Sequence, residues 1–252
     1  MVLCMGFAGL FGDEQMDLNR RILTVEAVRE ADQRAIEELG IPGALLMERA
    51  GAAVAEVCFR VLGSLGRHGT PVERVLLLCG KGNNGGDGFV VARLLQEADI
   101  AVEVWFTGDL NEVDPASDPG VHLKLAQMAG VNVQEAGSID EWLKGRPAPP
   151  EEFLVVDALL GTGARGEVRE PAKKLIEWVN AGEAAVVAVD VPSGLDANEG
   201  KVLGIAMRAA WTVTFGAAKA GFFAGEGPTC VGELTVDTIG FPEWLLDEVG
   251  GA

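Results

Sequence analysis

Four short segments of the sequence place glycine, asparagine, serine, aspartate or lysine at the end of an apolar run. They are GKGNNGGDG (80–88), DALLGTGARGE (157–167), DVPSGLDANEG (190–200) and GAAKAGF (216–222). Glycine and asparagine reach unusual backbone angles at low cost and leave backbone N–H groups uncovered, as a loop that lies against a ligand requires. A tight turn explains any one of these segments equally well, but four of them at comparable positions indicate a binding site.

The segment GKGNNGGDG follows an apolar run and precedes a helical pattern. Its N–H groups and the helix N-terminus could therefore face a phosphate or pyrophosphate group. Gly80, Gly82 and Gly85 match the dinucleotide-binding pattern G-x-G-x-x-G, although the acidic residue expected after the second strand is only ambiguously present at Asp109. The Gly-Lys-Ser/Thr of a P-loop does not follow, so the segment is not predicted to be one.

Three residues of the same segment, Gly85, Gly86 and Asp87, are candidates for contact with a ligand. Asp87 either contacts a ligand or caps the helix that follows. Gly85 and Gly86 are expected to lack a side chain because the ligand needs the space that a Cβ atom would fill. We predict that the segment is a loop and that the helix begins after it, at residue 88.

Two aspartates, Asp157 and Asp190, end apolar runs that are otherwise suited to burial. A buried carboxylate is costly unless it is paired, hydrogen-bonded or bound to a cation. Asp190 is followed by Pro192 and Ser193, a rigid turn that directs the carboxylate and adds a hydroxyl group. An Asx-type turn would explain Asp190 and Ser193 by structure alone. Next to the other glycine-rich segments, an acid/base role for Asp190 is the favoured interpretation.

The oxygen-bearing side chains of these segments suit a large monovalent cation better than zinc, which prefers nitrogen and sulfur ligands. Clustered carboxylates are missing, which disfavours a magnesium-dependent kinase. His68 and His122 are the only histidines, and neither has a motif around it, so imidazole catalysis is disfavoured. The cysteines form no C-x-x-C motif, which disfavours a zinc site or a redox pair; they are Cys4, Cys58, Cys79 and Cys230.

The elements that would position these residues alternate between strands and helices. Seven short apolar runs predict strands at 72–80, 101–108, 131–136, 153–161, 184–192, 210–216 and 232–240. Helical patterns cover 23–40, with Thr24 as a candidate N-cap, and also 41–63, 88–99, 120–130 and 171–182. Runs that are apolar on both faces are typical of a parallel sheet covered by helices.

We therefore predict an α/β fold: a Rossmann-like, doubly wound, mostly parallel sheet with helices on both faces and two N-terminal helices packed outside it. In such a fold, ligands bind outside the carboxyl ends of the strands, where the four polar segments would meet. We expect residues 1–22 to be an N-terminal extension and residues 23–252 to form a single domain.

The composition is typical of a soluble globular protein with a strong negative charge. The 252 residues are 48% hydrophobic, enough for one sizeable core, and the formal net charge is −18. This charge disfavours binding to nucleic acid or to an anionic membrane surface. The first nineteen residues contain no Lys or Arg, unlike a signal or transit peptide, and no run approaches the length of a membrane span. A cytoplasmic location is therefore expected.

Six segments taken together resemble the YjeF N-terminal family, the NAD(P)HX epimerases. In chain order they are LTVEAVREADQRAIEELGIPGALLMERAG, GKGNNGGDGFVVARLL, VDALLGTGARGEV, DVPSGLDANEG, TVTFGAAKAGF and TVDTIGFP. The resemblance spans nearly everything from Leu23 to Pro242. The combination of GNNGGDG with D-x-P-S-G-x-D carries most of its specificity.

The resemblance implies a Rossmann-like domain, usually a homodimer, that interconverts the R and S forms of hydrated NADH and NADPH. A separate dehydratase that accepts only the S form would then restore the cofactor. Carried over by motif, Asp190 would be the catalytic residue and would also contact the substrate. The other substrate-binding residues would be Asn83, Asn84, Gly85, Gly86, Asp87, Gly161, Thr162, Gly163, Ala164, Arg165, Gly166 and Glu167. A potassium ion would be held by Asn84, Asp157 and Ser193.

The chemistry implied by the resemblance needs few residues. The hydrated carbon is a hemiaminal, which can invert by reversible loss of its hydroxyl group or by ring opening, and one carboxylate can move the protons in either case. Lys219 has no assigned role, because the family more often has a proline beside this lysine. Two other function classes compete with an epimerase: a non-catalytic nucleotide- or protein-binding module of the same fold, and a nucleotide-dependent transferase or kinase.

Overall fold

The structure is a computed structural model that describes residues 21–67, 72, 74–136 and 139–251. Its nine strands are β1 (Ile22–Leu23), β2 (Arg74–Cys79), β3 (Val102–Phe106), β4 (Asn132–Glu135), β5 (Phe153–Ala158), β6 (Ala185–Val189), β7 (Trp211–Phe215), β8 (Ala218–Lys219) and β9 (Glu233–Asp237). Seven of them form one sheet in the order β4-β3-β2-β5-β6-β7-β9, and every pair in it is parallel. All seven predicted strands are confirmed.

The eight α-helices of the described residues are α1 (Val25–Glu37), α2 (Gly43–Arg67), α3 (Asn83–Glu97), α4 (Asp118–Met128), α5 (Ile139–Leu143), α6 (Ala172–Asn180), α7 (Gly227–Val231) and α8 (Glu243–Gly250). The five predicted helical patterns correspond to α1, α2, α3, α4 and α6. Thr24 is the N-cap of α1, as expected, and its hydroxyl accepts a hydrogen bond from the Ala27 N–H at 3.1 Å. No described helix has the combination of length and apolar character that a bilayer crossing needs.

Helices cover both faces of the sheet, as the apolar strand runs predicted. Within β2, the side chains of Val75, Leu77 and Cys79 belong to the core beneath α1, α2, α3 and α4. Leu76 and Leu78 point to the opposite face and pack in the core beneath α6. The α/β fold with a parallel sheet is thereby confirmed.

Helix α3 begins five residues earlier than the sequence predicted. The prediction of a loop over 80–88 is wrong from Asn83 onward, since Asn83 is the first helical residue and Gly82 is the N-cap. Two glycines in a first helical turn are intrinsically unfavourable, which is why the segment reads as a loop. Tertiary packing outweighs that preference, because the turn lies directly against the backbone of Gly80.

A small second sheet pairs the two short strands β1 and β8 in parallel. Ile22 pairs with Ala218, and Leu23 pairs with Lys219. Ile22, the last residue of the predicted N-terminal extension, therefore lies in a strand. Residues 1–20 and His68 lie outside the described residues.

Candidate active site

A cavity of about 830 Å³ lies at the carboxyl ends of the strands β2, β5 and β6. The strand order reverses at β2, whose neighbours are β3 and β5, so the cavity occupies the place where open α/β sheets bind ligands. Its walls come from the segments that follow these strands, from α1 and the start of α2, and from residues 239–241. Its volume is within the range of small-molecule and cofactor sites.

The structure brings most of the predicted substrate-binding residues to this cavity. The lining includes Asn83, Asn84, Asp87, the whole of segment 161–167 and Asp190. Three regions far apart in the sequence therefore contribute to one surface. The convergence is the one expected for loops at a single edge of a parallel sheet.

Gly85 and Gly86 are not in the cavity lining, and the reason predicted for their missing side chains is wrong. A Cβ atom on Gly85 would lie 1.9 Å from the carbonyl oxygen of Gly80, and one on Gly86 would lie 2.5 Å from the Met47 sulfur. Both glycines are therefore required by packing of the protein against itself. Gly82 differs from them, because it lines the cavity and no described atom lies within 4 Å of its Cβ position.

Asp157 and Ser193, two of the predicted cation ligands, are in direct contact. Asp157 is fully buried in β5, and its Oδ2 accepts a hydrogen bond from the Ser193 N–H at 2.7 Å. Its Oδ1 accepts from the Ser193 hydroxyl at 2.6 Å and from the Leu159 N–H at 3.3 Å. Burial raises the pKa of Asp157 to about 6, while the hydrogen bonds from Ser193 oppose that rise.

Asn84, the third predicted cation ligand, has an amide group with no hydrogen bond to any described residue. Its Nδ2 is buried, and its Oδ1 would lie 3.2 Å from a Cβ atom on Gly161. The Ser193 hydroxyl accepts a hydrogen bond from the Leu160 N–H at 2.9 Å, so Ser193 and Asn84 both adjoin the turn at residues 159–161. An amide oxygen, a hydroxyl and one carboxylate form a donor set that suits a monovalent cation.

Asp190 lies immediately after β6 and has a backbone φ of +62°, which is rare outside glycine. Its Oδ1 accepts hydrogen bonds from the Lys219 ammonium at 2.8 Å and from the Thr214 hydroxyl at 3.0 Å. Lys219 is fully buried, and its Nζ also donates to the Thr214 hydroxyl and to the Phe215 carbonyl. The predicted catalytic carboxylate is therefore held in an ion pair with a buried lysine.

Sequence reasoning left Lys219 unassigned and did not single out Thr214. One signal was present: Lys219 is the one charged residue in a stretch of alanine, glycine and phenylalanine, and a buried lysine is almost always paired. No pattern in the sequence identified its partner, because Asp190 lies 29 positions earlier.

Asp87 is the fifth residue of α3. It is 8% exposed and forms part of the cavity lining. Its interpretation as a helix cap is wrong, because Gly82 is the N-cap and no side chain caps the helix. Burial raises the pKa of Asp87 well above its ordinary value, and the carboxylates of Asp190 and Asp32 raise it further. No described group donates a hydrogen bond to its side chain, so nothing nearby favours the charged form.

Basic side chains also line the cavity, although the chain as a whole is acidic. They are Arg29, Lys81, Arg165 and Arg169. Arg29 donates to the Thr162 carbonyl at 2.8 Å, which joins α1 to the glycine-rich segment 161–167. The lining also contains carboxylates, among them Asp32, Asp118 and Glu170, so these four side chains are individual cationic groups available to a phosphate-bearing ligand and do not make the whole cavity positive.

Two other residues considered from the sequence lie away from the cavity lining. Asp109 caps a short 3₁₀ turn (Leu110–Glu112) through a hydrogen bond from the Asn111 N–H, so it does not supply the acidic partner of a dinucleotide-binding pattern. His122 is buried, and its Nε2 lies 2.9 Å from the Ala44 carbonyl oxygen. Its contacts are those of a packed helix residue.

Comparison with known proteins gives a consistent result. Residues 43–221 match the family described as YjeF-related protein N-terminus. The chain is similar to an NAD(P)H-hydrate epimerase from Rhodopirellula baltica, with 38% identity over 224 residues that cover 89% of this chain and 86% of that protein. It is also similar to the bifunctional NAD(P)H-hydrate repair enzyme Nnr of Salinibacter ruber, with 42% identity over 231 residues.

The two relatives differ in how much of their length the chain matches. The Salinibacter alignment covers 90% of this chain but 42% of that protein, so the chain spans less than half of the bifunctional enzyme. Among solved structures, that of yeast ynu0 (YNL200c) superposes with a TM-score of 0.73 at 25% identity. The superposition covers 91% of this chain and 93% of the yeast chain.

Proposed function

The chain belongs to the family of YjeF-related protein N-termini, and we propose on this basis that it is an NAD(P)H-hydrate epimerase, an isomerase that interconverts the R and S forms of hydrated NADH and NADPH. The observation that carries the proposal is the position of Asp190. Its carboxylate is held by Lys219 at the strand edge of a cavity large enough for a nucleotide, and the glycine-rich segment 161–167 lines the same cavity.

The reaction needs a group that moves protons at one carbon of the reduced nicotinamide ring. That carbon bears a hydroxyl group and is bonded to the ring nitrogen, so it inverts when either bond breaks reversibly and forms again on the other face. In ring opening, Asp190 removes the hydroxyl proton as the carbon–nitrogen bond breaks and delivers it to the ring nitrogen, and the reverse steps close the ring. In hydroxyl loss, a protonated Asp190 donates its proton to the hydroxyl group, which leaves as water, and takes a proton back from the water that adds to the other face. Asp87, when neutral, donates a hydrogen bond to the substrate without adding a second negative charge beside Asp190.

The same proposal includes a potassium ion held by Asn84, Asp157 and Ser193. The support for it is the unpartnered amide of Asn84 and the neutral character of most of the oxygen donors beside the turn at residues 159–161. A bound cation would add a positive charge at the edge of the cavity and would fix the carboxylate of Asp157. Asp157 then has a structural task that is separate from the proton transfer by Asp190.

Three further parts of the proposal concern the protein's surroundings. We propose that a separate S-specific dehydratase completes the repair, an assignment supported by the similarity to a bifunctional NAD(P)H-hydrate repair enzyme. A cytoplasmic location agrees with the three described cysteines, Cys58, Cys79 and Cys230, which are free and buried. A homodimer remains a proposal that the family resemblance supports.

The function is tested by mixing the R form of hydrated NADH with an S-specific dehydratase and following the recovery of NADH absorbance. The chain should accelerate the recovery above its spontaneous rate. A folded protein that binds nicotinamide nucleotides but gives no acceleration would instead be a non-catalytic binding module.

A further inference from the structure

Lys219 is a buried cation whose hydrogen-bonding capacity is fully used. Its side chain has no exposed surface. The three protons of its ammonium group have three acceptors: Asp190 Oδ1 at 2.8 Å, Thr214 Oγ1 at 2.5 Å and the Phe215 carbonyl at 3.0 Å. Because the acceptors come from two different elements, the position of Nζ is fixed from more than one side.

These contacts also fix the direction of the hydrogen bond made by Thr214. An ammonium group can only donate, so Thr214 Oγ1 must accept from Lys219. The single proton of the Thr214 hydroxyl is then directed to Asp190 Oδ1, at 3.0 Å. Lys219, Thr214 and Asp190 therefore form a closed three-membered network in which each bond supports the others.

The two oxygens of the Asp190 carboxylate are consequently different. Oδ1 accepts two hydrogen bonds, one of them from a cation, whereas no described group donates to Oδ2. The backbone is held as well, because the Asp190 N–H donates to the Val213 carbonyl at 2.7 Å. Since Asp190 lines the cavity, Oδ2 is the oxygen left for a ligand.

We propose that Lys219 is a positioning residue for the epimerisation: with Thr214 it holds Asp190 Oδ1, so that Asp190 Oδ2 alone exchanges the proton with the substrate. This inference rests on the proposed function and adds a residue to its machinery. Lys219 does not itself touch the substrate, because it is fully buried and all its protons are engaged. Its effect on the reaction is therefore transmitted entirely through Asp190.

A lysine that only balances the charge of the partly buried Asp190 would leave a different signature. Its removal would lower stability, and any effect on the rate would be independent of whether Asp190 can transfer a proton. A positioning residue instead gives strongly non-additive rate effects when combined with a change at Asp190. This difference determines the experiment.

The test compares Lys219→Met and Thr214→Val with the matched control Thr212→Val. Thr212 lies in the same strand β7, is equally buried, and donates its hydroxyl proton to the Val231 carbonyl at 2.7 Å instead of to Asp190. We expect Lys219→Met and Thr214→Val to lower kcat by on the order of 10- to 100-fold, because misplacing a catalytic group by about 1 Å can cost that much. Binding of NADH should change by less than about threefold in both, and Thr212→Val should keep the wild-type kcat.

The decisive measurement adds each substitution to Asp190→Asn. In that background Lys219→Met should cause no further loss of kcat, since the group that it positions no longer transfers a proton. A loss as large as that seen in the wild-type background would overturn the proposal, and so would a Lys219→Met or Thr214→Val enzyme with wild-type kcat. Lys219→Met leaves the partly buried Asp190 carboxylate without its cation, so if this variant does not fold, Thr214→Val, which keeps the ion pair, decides the question alone.

The assay also separates failure of this inference from failure of the proposed function. If the wild-type protein does not accelerate epimerisation, the function is wrong and the rates carry no information about Lys219. The crystal structure of Thr214→Val then decides. An Asp190 carboxylate rotated from its place supports positioning by the network, and an unmoved carboxylate contradicts it.

Discussion

Ser193 donates two hydrogen bonds to Asp157, one from its N–H to Oδ2 at 2.7 Å and one from its hydroxyl to Oδ1 at 2.6 Å. The same hydroxyl accepts from the Leu160 N–H at 2.9 Å. One serine therefore ties together the end of β5, the turn at residues 159–161 and the turn after β6. Ser193 and Asp157 are fully buried, which makes the loss of this hydroxyl costly.

Replacing Ser193 should lower stability more than an ordinary serine substitution. Ser193→Ala removes one hydrogen bond from the buried Asp157 carboxylate and leaves the Leu160 N–H without its acceptor, so we expect a loss of about 1–3 kcal/mol in the free energy of unfolding. Ser64→Ala is the control, because Ser64 lies in α2 and its side chain makes no hydrogen bond to another described residue. Urea unfolding measures both, and equal free energies of unfolding for the two variants would contradict the prediction.

Potassium should stabilise the protein if Asn84, Asp157 and Ser193 bind it. A ligand that binds only the folded state at 100 times its Kd adds about 2.7 kcal/mol, so the Tm should rise by several degrees in KCl relative to choline chloride at equal ionic strength. Asn84→Leu should abolish the difference between the two salts, because it removes the amide oxygen from the site. A difference that persists in this variant would place the effect elsewhere.

The reaction itself should depend on Asp190. Asp190→Asn keeps the size of the side chain but removes the proton transfer, so the epimerisation rate should fall at least on the order of a hundredfold while nucleotide binding is largely kept. Asp109→Asn is the matched control, because Asp109 caps a turn outside the cavity lining and asparagine is an equally good cap. A folded Asp190→Asn protein with nearly full activity would assign the chemistry to another residue.

Two glycines of the segment 80–88 should respond differently to a new side chain. At Gly82 there is open space on the cavity side, so Gly82→Val should weaken NADH binding about tenfold or more. Because valine is a poorer N-cap than glycine, we also expect a loss of about 1 kcal/mol in the free energy of unfolding. Gly85→Ala should destabilise the protein itself, because its Cβ atom would collide with the Gly80 carbonyl. Calorimetric titration and urea unfolding measure the two effects separately, and wild-type affinity in Gly82→Val would show that the ligand does not reach this position.

Much of the fold could be predicted because burial on both faces leaves a plain signature in the sequence. The run FLVVDA in β5 is apolar without alternation, as a strand covered by helices must be. Asp157 stood out in it for the same reason, since a carboxylate in such a run has to be satisfied by partners. The alternation of strands and helices then placed the polar segments at one edge of the sheet.

The start of α3 and the environment of Asp190 could not be predicted in this way. Gly85 and Gly86 have low helix propensity, and the reason for their presence is a backbone contact that only the folded chain makes. Lys219 and Asp190 are joined across two strands, and neither residue belongs to a periodic pattern that would pair them. Local sequence patterns predict the helices and strands, whereas these contacts depend on how the helices and strands pack together.

Stability should depend on pH through Asp87. Because its pKa is raised in the folded state, the folded protein loses stability as the pH rises from the ordinary carboxyl pKa of about 3.9 through the raised value. An amide does not titrate, so the free energy of unfolding of Asp87→Asn relative to that of the wild type should increase from pH 4 to pH 8. Urea unfolding at the two pH values measures this change, and a difference between the proteins that is the same at both would contradict the raised pKa.

The pairing of β1 with β8 has a consequence for the order in which the chain assembles. Leu23 leaves the ribosome long before its partner Lys219, because almost the whole parallel sheet lies between them in the sequence. Arg34 of α1 donates a hydrogen bond to Glu248 of α8 at 2.7 Å, and this contact likewise can form only after Glu248 has been synthesised. Contacts of such long sequence separation form late, because the intervening loop must close first. Strand β1 therefore has no partner strand among the described residues until β8 has been synthesised, and β8 also contains the lysine that pairs with Asp190.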